Sequence, residues 1–249
     1  MKKFIRVISL LVLFFLNAFI DLSAQNKAKE INHQSQSWFS INTKTDIYKK
    51  WSVLADVHVR RNHFLADPNF YFVRAALAYN INPHLYVAAG YGHMWVAPAI
   101  AGWKTYSNEN RIYQQLQYSS SIGKINLLQR LRNEQRWQQK MVNDKFSGQN
   151  RFTDRIRYLL SATIPVFKNK HLPSLVIADE LNIQFGKEVV YNTFDQNRYF
   201  IGIKQNINHR LSFDMGYMKV YQQKYSGYQY DSNDTFRLFF YYNGSWCKK

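Results

Sequence analysis

The chain of 249 residues contains one cysteine, Cys247, two positions from its end. A disulfide framework within the chain and any cysteine-built zinc site are therefore excluded. Five Pro and ten Gly are too few for a collagen-like or low-complexity chain. Carboxylates are scarce: 16 Asp and Glu stand against 33 Lys and Arg, giving a net charge of +17. Beyond residue 35 no window carries the 3.6-residue period of an amphipathic helix. No apolar run approaches the ~20 residues that a membrane-crossing helix needs. Gly-x-Ser-x-Gly, His-Glu-x-x-His and glycine-rich phosphate loops are all missing. Aromatic residues, by contrast, are plentiful, with 18 Tyr, 18 Phe and 6 Trp. Aromatic surface on that scale must be covered by a core, an interface or lipid.

The first residues follow an export pattern. Lys2, Lys3 and Arg6 precede an apolar stretch over 7–16, and Leu22-Ser23-Ala24 supplies a small-residue exit. Residues 1–24 are expected to be a signal peptide cleaved after Ala24. Loss of Lys2, Lys3, Arg6 and Asp21 lowers the net charge only to +15 over 225 residues, so the positive charge belongs to the mature fold.

Period two dominates the remainder. Phe39, Ile41, Thr43, Thr45 and Ile47 alternate with Ser40, Asn42, Lys44 and Asp46. Trp51, Val53, Ala55, Val57 and Val59 alternate with Ser52, Asp56, His58 and Arg60. Similar runs cover 71–81, 85–95, 111–121, 125–137, 151–164, 175–185, 198–207, 211–221 and 236–243. Each is close to the length of a tilted strand that crosses a bilayer. Tight turns at 48–50, 82–84, 122–124 and 208–210 alternate with longer polar stretches at 64–70, 97–110, 138–150, 186–195 and 224–234. The connection 165–173 is intermediate and is assigned to the short-turn side.

Charge decides which face is wet. Arg130, Arg132, Glu134 and Arg136 recur every second residue, opposite Leu127, Leu131 and Trp137. An Arg at the bilayer midplane costs ~2–4 kcal/mol, so this column must line the interior. Arg151, Arg155 and Arg157 repeat it, Glu180 follows on the next strand, and Arg198 and Lys204 on the one after. The expected fold is all-β: a transmembrane, antiparallel up-and-down β-barrel over 38–246, with 247–249 a short tail. Trp38, Trp51, Trp95, Trp137, Tyr221, Tyr242 and Trp246 are expected at its interfacial girdles. Single-chain bacterial barrels have even strand counts. Either 30–37, within the N-terminal segment 25–37, supplies a weak first strand and gives about twelve, or one element leaves the wall and gives ten. Twelve is the preferred count. A soluble sandwich or lipocalin-like barrel would leave the Arg columns in solvent, and the alternating connections and aromatic strand ends weigh against it.

Three segments also carry a resemblance: Glu109-Asn110-Arg111-Ile112-Tyr113-Gln114-Gln115-Leu116, Arg130-Leu131-Arg132-Asn133-Glu134-Gln135-Arg136-Trp137 and Phe194-Asp195-Gln196-Asn197-Arg198-Tyr199. They resemble domain-of-unknown-function family 2490, exported proteins common in Bacteroidetes, over 38–243. The resemblance implies an outer-membrane barrel and no assigned activity. The family's strand pattern usually ends on an aromatic residue close to the C-terminus, whereas here Trp246 is followed by Cys247, Lys248 and Lys249.

Chemistry is harder to find. His58 falls in a charge column with Asp56 and Arg60, and a wall residue is the simpler reading than a general base. His93 beside Met94 and Trp95 could serve a membrane-interface hydrolase, but no Ser is tied to it. Asp179 and Glu180 are adjacent, so on a strand they point to opposite faces and cannot share a site. Asp231, Asn233 and Asp234 have a calcium-like composition, for which a solvated loop is the simpler account. No catalytic residue, metal site or cofactor is assigned, and the chain is not expected to be an enzyme. Basic residues are spread at strand period without a nucleic-acid module.

The functional expectation is an outer-membrane barrel of a Gram-negative bacterium with an Arg-rich lumen. Such a lumen attracts anions and would make either a small anion-preferring pore or a site for a small acidic solute. The alternative is a closed barrel, structural or binding lipid or a partner, because ten to twelve strands lie near the side-chain-filled class. Expected partners are outer-membrane lipid, lipopolysaccharide and the barrel-assembly machinery. Lys49, Lys50, Lys124, Lys168, Lys170 and Arg210 would meet anionic headgroups at the short turns; Lys104, Lys140, Lys145, Lys187 and Lys224 would meet lipopolysaccharide phosphates at the long loops.

Overall fold

A computed structural model describes residues 27–169 and 172–246. The signal-peptide expectation for 1–24, the tail 247–249, Lys170 and His171 lie outside the described residues.

The described chain is all-β. Its strands are β1 (Glu30–Tyr48), β2 (Trp51–Asn62), β3 (Asp67–Asn82), β4 (Leu85–Val96), β5 (Ser107–Ile122), β6 (Ile125–Val142), β7 (Lys145–Ile164), β8 (Ser174–Phe185), β9 (Phe194–Asn206), β10 (Leu211–Gln223) and β11 (Gln229–Ser245). They pair in chain order and close into a barrel. Consecutive strands are antiparallel, as short connections require. Only the closing pair differs: β1 and β11 run parallel from Glu30↔Gln229 to Asp46↔Ser245. Residues 30–37 are the first part of β1 and not a strand of their own, which leaves eleven strands. A parallel seam is how an odd-numbered wall closes.

The connections sort to two ends. Residues 49–50, 83–84, 123–124, 165–169 with 172–173, and 207–210 lie at one end; 63–66, 97–106, 143–144, 186–193 and 224–228 lie at the other. Three of the polar stretches expected as long loops are shorter than that. The stretch 138–150 is a hairpin extension that turns on Asn143 and Asp144, at φ 49° and 58°. Positive φ at both central residues is the two-residue hairpin turn that Asn and Asp tolerate best. The stretch 224–234 gives up Asp231, Asn233 and Asp234 to β11, where Asp231 and Asn233 are buried. Because this barrel is polar inside, a polar run can be a strand. The stretch 64–70 is likewise cut short, β3 starting at Asp67.

The two faces of the wall have inverted polarity. Outward positions are apolar and open, among them Val57 (51% exposed), Leu77 (48%), Ile112 (46%) and Ile201 (51%). Inward positions are mostly polar or charged, and Gln36, Glu134, Arg155, Glu180, Asn182 and Gln184 are all buried. Trp38 corrects one girdle expectation: it shares the inward face of β1 with Gln36 and Ser40 and is 3% exposed. Alternation from Phe39 and Ile41 already required this.

Candidate functional site

The lumen is organised around two inward carboxylates, each held by several guanidinium groups. Glu134 on β6 accepts from Arg155 Nη2 at 2.5 Å and from Arg157 Nη1 at 2.8 Å, and Arg111 and Arg132 stand 3.6 Å away. Glu180 on β8 accepts from Arg130 at 2.8 Å, and from Arg157 and Arg198 at 2.7 Å each. Arg157 bridges the two. Asp195 takes the remaining edge of Arg155 at 2.8 Å. Strand register explains the assembly: Glu134 faces Arg155 across β6–β7, Arg157 and Asn182 pair across β7–β8, and Glu180 faces Arg198 across β8–β9. Period two then points all of them inward.

The expected charge ladder is thus one connected network for Arg130, Arg132, Glu134, Arg155, Arg157, Glu180 and Arg198. Arg136 also faces inward, but it has neutral partners: its Nε donates to Thr153 Oγ1 at 3.1 Å and its Nη2 to Gln184 Oε1 at 2.5 Å. Two residues lie apart. Arg151 sits at the long-connection end, donating to the Glu188 carbonyl at 3.0 Å beneath the Tyr225 ring. Lys204 sits near the opposite end, its Nζ 5.5 Å from the Tyr241 ring.

Sequence reasoning missed several members. Arg74 pairs with Asp56, Arg111 with Glu109 at 2.5 Å, and Arg237 with Asp214 at 3.0 Å. None of the three arginines belongs to a repeated basic column like those of β6 and β7. The signal was their phase, which matches the inward face.

A cavity of about 570 Å³ occupies the lumen, running from Ala97–Ala99 and Tyr225 at the long-connection end past Trp38, Met218 and Phe239 to Asn42 and Tyr241. Trp38 projects inward from β1 and belongs to a buried apolar cluster with Val176, Ala178, Phe200 and Met218 of β8, β9 and β10. Its Nε1–H donates to Gln36 Oε1 at 2.9 Å. Deeper, Lys44 of β1 donates to Asn80 at 2.7 Å and lies 4.7 Å from the Tyr86 ring of β4. Tyr86 in turn donates to Gln117 and accepts from Gln115, each at 2.9 Å. Side chains of β1 and β4 therefore meet below the cavity and narrow the lumen there, giving the cavity the form of a cup.

One guanidinium in this cup is exceptional. Arg60 lies between Trp38, 3.2 Å from the ring centroid, and Phe70, at 4.3 Å. Among the described residues it has neither a carboxylate nor a hydrogen-bond partner, and its Nε is shut off from solvent. Stacking satisfies its faces and leaves its N–H edge unused. Arg198 approaches the same Trp38 ring at 5.0 Å. Nearby, His58 packs between Phe72 and Phe239, and its Nδ1 is buried without a partner.

His93 is on the outer face, its Nδ1 2.7 Å from Asn110 Oδ1 and its ring against Trp95. Asp179 and Glu180 do point to opposite faces: Glu180 is buried in the lumen, whereas Asp179 accepts from Asn197 at 2.8 Å. Among the described residues no three of His, Cys, Asp and Glu gather as a metal-ligand set.

A family model described as "Protein of unknown function (DUF2490)" matches residues 35–231. No curated protein and no solved structure matches the chain.

Proposed function

We propose, for this chain, which belongs to the DUF2490 family of proteins of unknown function, that it is an outer-membrane barrel whose lumen holds a small acidic solute. The observation that carries this reading is Arg60: a guanidinium facing a cavity of about 570 Å³ with its N–H edge unpaired. A cation partly withdrawn from water between two rings, with no counter-charge, is costly. A carboxylate or phosphate entering from the long-connection end would accept from Arg60 in the planar geometry that guanidinium favours. The surrounding arginines, which outnumber the inward carboxylates, draw anions into the same space. The role is binding and not catalysis, and it needs no cofactor.

Membrane placement is supported by the apolar outward wall, by Trp51, Tyr79 and Tyr118 towards the short-turn end, and by Trp95, Trp137 and Phe152 towards the other. The basic residues of the turns and loops then serve as contacts to inner-leaflet headgroups and lipopolysaccharide.

The cup speaks for binding over conduction, because Trp38 projects into it and the Lys44–Tyr86 contact narrows the lumen beneath it. The test is calorimetric titration of the refolded mature protein with citrate and with inorganic pyrophosphate, beside planar-bilayer conductance under a salt gradient. Saturable binding with a silent bilayer supports the solute site. Anion-selective current that weakens when Arg130, Arg132 and Arg136 are neutralised would replace it with the pore. Neither binding nor current would leave the Arg–Glu network a purely structural brace.

A further inference from the structure

The outward wall is mostly apolar, with polar groups at a few places, among them the Asp179–Asn197 pair of β8–β9 and the Lys219–Asp234 pair of β10–β11. On β5 and β6, Gln114, Asn133 and Gln135 point outward at mid-strand. Gln114 Nε2 donates to Gln135 Oε1 at 3.2 Å and Gln135 Nε2 returns a bond to Gln114 Oε1 at 3.3 Å. Asn133 Nδ2 donates to Gln114 Oε1 at 3.4 Å, and its own Oδ1 accepts nothing. On β7, Asp154 stands in register with Gln135 and adds a carboxylate to the patch. On β1, β2, β10 and β11 the corresponding outward positions are apolar or aromatic, including Ile41, Val57, Met215 and Leu238. A groove of about 590 Å³ adjoins the amides, bordered by Trp51, Leu77, Tyr79, Leu116 and Leu131 over the small Ala89.

Lipid tails offer these groups neither donor nor acceptor, and a polar group without a partner in hydrocarbon is expensive. The amides satisfy one another only in part. Each retains an N–H, and the Asp154 carboxylate retains acceptor capacity, whereas Asn133 Oδ1 is shielded within the patch. Donors and acceptors left over on one patch make it complementary to itself, which is the requirement of a two-fold interface. Leu116 and Leu131, standing beside the groove, supply the apolar ridge that a second groove would receive. We propose that the outward face of β4–β7, centred on Gln114, Asn133 and Gln135, is a membrane-embedded interface with a second copy of this chain. The inference rests on the reading that the outer wall faces lipid.

The test uses the full chain, expressed with export and extracted from membranes in mild detergent. The wild-type protein has the mass of two chains by light scattering, and the triple variant Gln114→Leu, Asn133→Leu, Gln135→Leu loses the two-chain species while it still migrates as a folded barrel. A wild-type protein of one-chain mass, or a triple variant that stays paired, overturns the interface. Cross-linking gives a second readout that does not depend on the triple variant: on a Cys247→Ser background, Gln114→Cys forms a disulfide-linked dimer in intact membranes and Ile201→Cys on the far wall does not. Equal cross-linking at both, or none at Gln114→Cys, counts against it. Carbonate washing separates the premises. Protein released by the wash refutes membrane insertion and the interface with it, whereas protein retained as single chains refutes the interface alone.

Discussion

Arg60 lies flat on Trp38: the two are register partners on β2 and β1, and the guanidinium carbon stands 3.2 Å from the ring centroid. With Phe70 on its far side, the cation can be engaged only in its plane. Arg60→Gln should weaken citrate binding by about 10- to 100-fold, the value of a charge-assisted hydrogen bond of ~1.5–3 kcal/mol. Because no carboxylate depends on Arg60, thermal unfolding in detergent should not occur at a lower temperature. Titration calorimetry and a melting curve on the same sample check both halves.

Glu134 is the opposite case. It is 1% exposed and holds Arg155 and Arg157 directly. Glu134→Gln leaves Arg155 with Asp195 and Arg157 with Glu180 but takes one carboxylate from the buried network, and should cost about 3–5 kcal/mol, as expected when one partner of a buried pair is removed. The surface pair Lys140–Glu188, with each side chain 40% exposed, is the control: Lys140→Gln should stay within ~1 kcal/mol. Urea unfolding of the detergent-solubilised barrel distinguishes the two outcomes.

Trp38 projects into the lumen at one level and Tyr86 at another. Trp38→Ala alone should cost about 3–5 kcal/mol through the cavity it leaves. Combined with Tyr86→Ala it should open a continuous aqueous path, seen as ionic current in a bilayer where the wild-type protein is silent. Persistent silence from the folded double variant would place the closure elsewhere.

Asp144 ties two distant connections together. Its carboxylate accepts from the backbone N–H of Lys104 at 3.0 Å and of Thr105 at 2.8 Å. These two bonds, that of Lys104 first, hold its pKa below the ordinary aspartate value. A carboxyl depressed by folding stabilises the state that depresses it above the unfolded pKa of ~3.9, and this contribution is lost as pH falls through the folded value. Amide exchange at Lys104 and Thr105 should therefore stay slow at neutral pH and rise, relative to the intrinsic rate, only on acidification below the usual aspartate range. Asp144→Asn should bring that rise to neutral pH.

Much of this fold was legible because a barrel that is polar inside and apolar outside writes its strands at period two. The runs at 125–137 and 151–164 located β6 and β7, and phase alone put Arg130, Arg132, Glu134, Arg155 and Arg157 on one face. Glu180 and Arg198 followed by the same rule. What period could not supply was the range of each side chain. That Arg157 bridges two carboxylates, or that Trp38 of β1 shares an apolar cluster with Val176 of β8, depends on barrel curvature, which a single strand does not encode. Strand ends were blurred for a related reason: Asp231 and Asn233 look like loop residues until their neighbours show that the inside is polar. The strand count turned on 30–37, whose polar residues pair along Gln229–Phe236 of a strand roughly two hundred positions away; local pattern holds no record of such a partner.

The parallel seam has a topographic consequence. With β1 entering at one rim of the barrel and β11 leaving at the other, Glu30 and Ser245 face opposite sides of whatever sheet of material the wall crosses. Under the proposed membrane placement, a reporter fused ahead of β1 and one fused behind β11 would sample separate compartments, and the barrel would be a transverse tether, with its first strand at one aqueous phase and its last at the other.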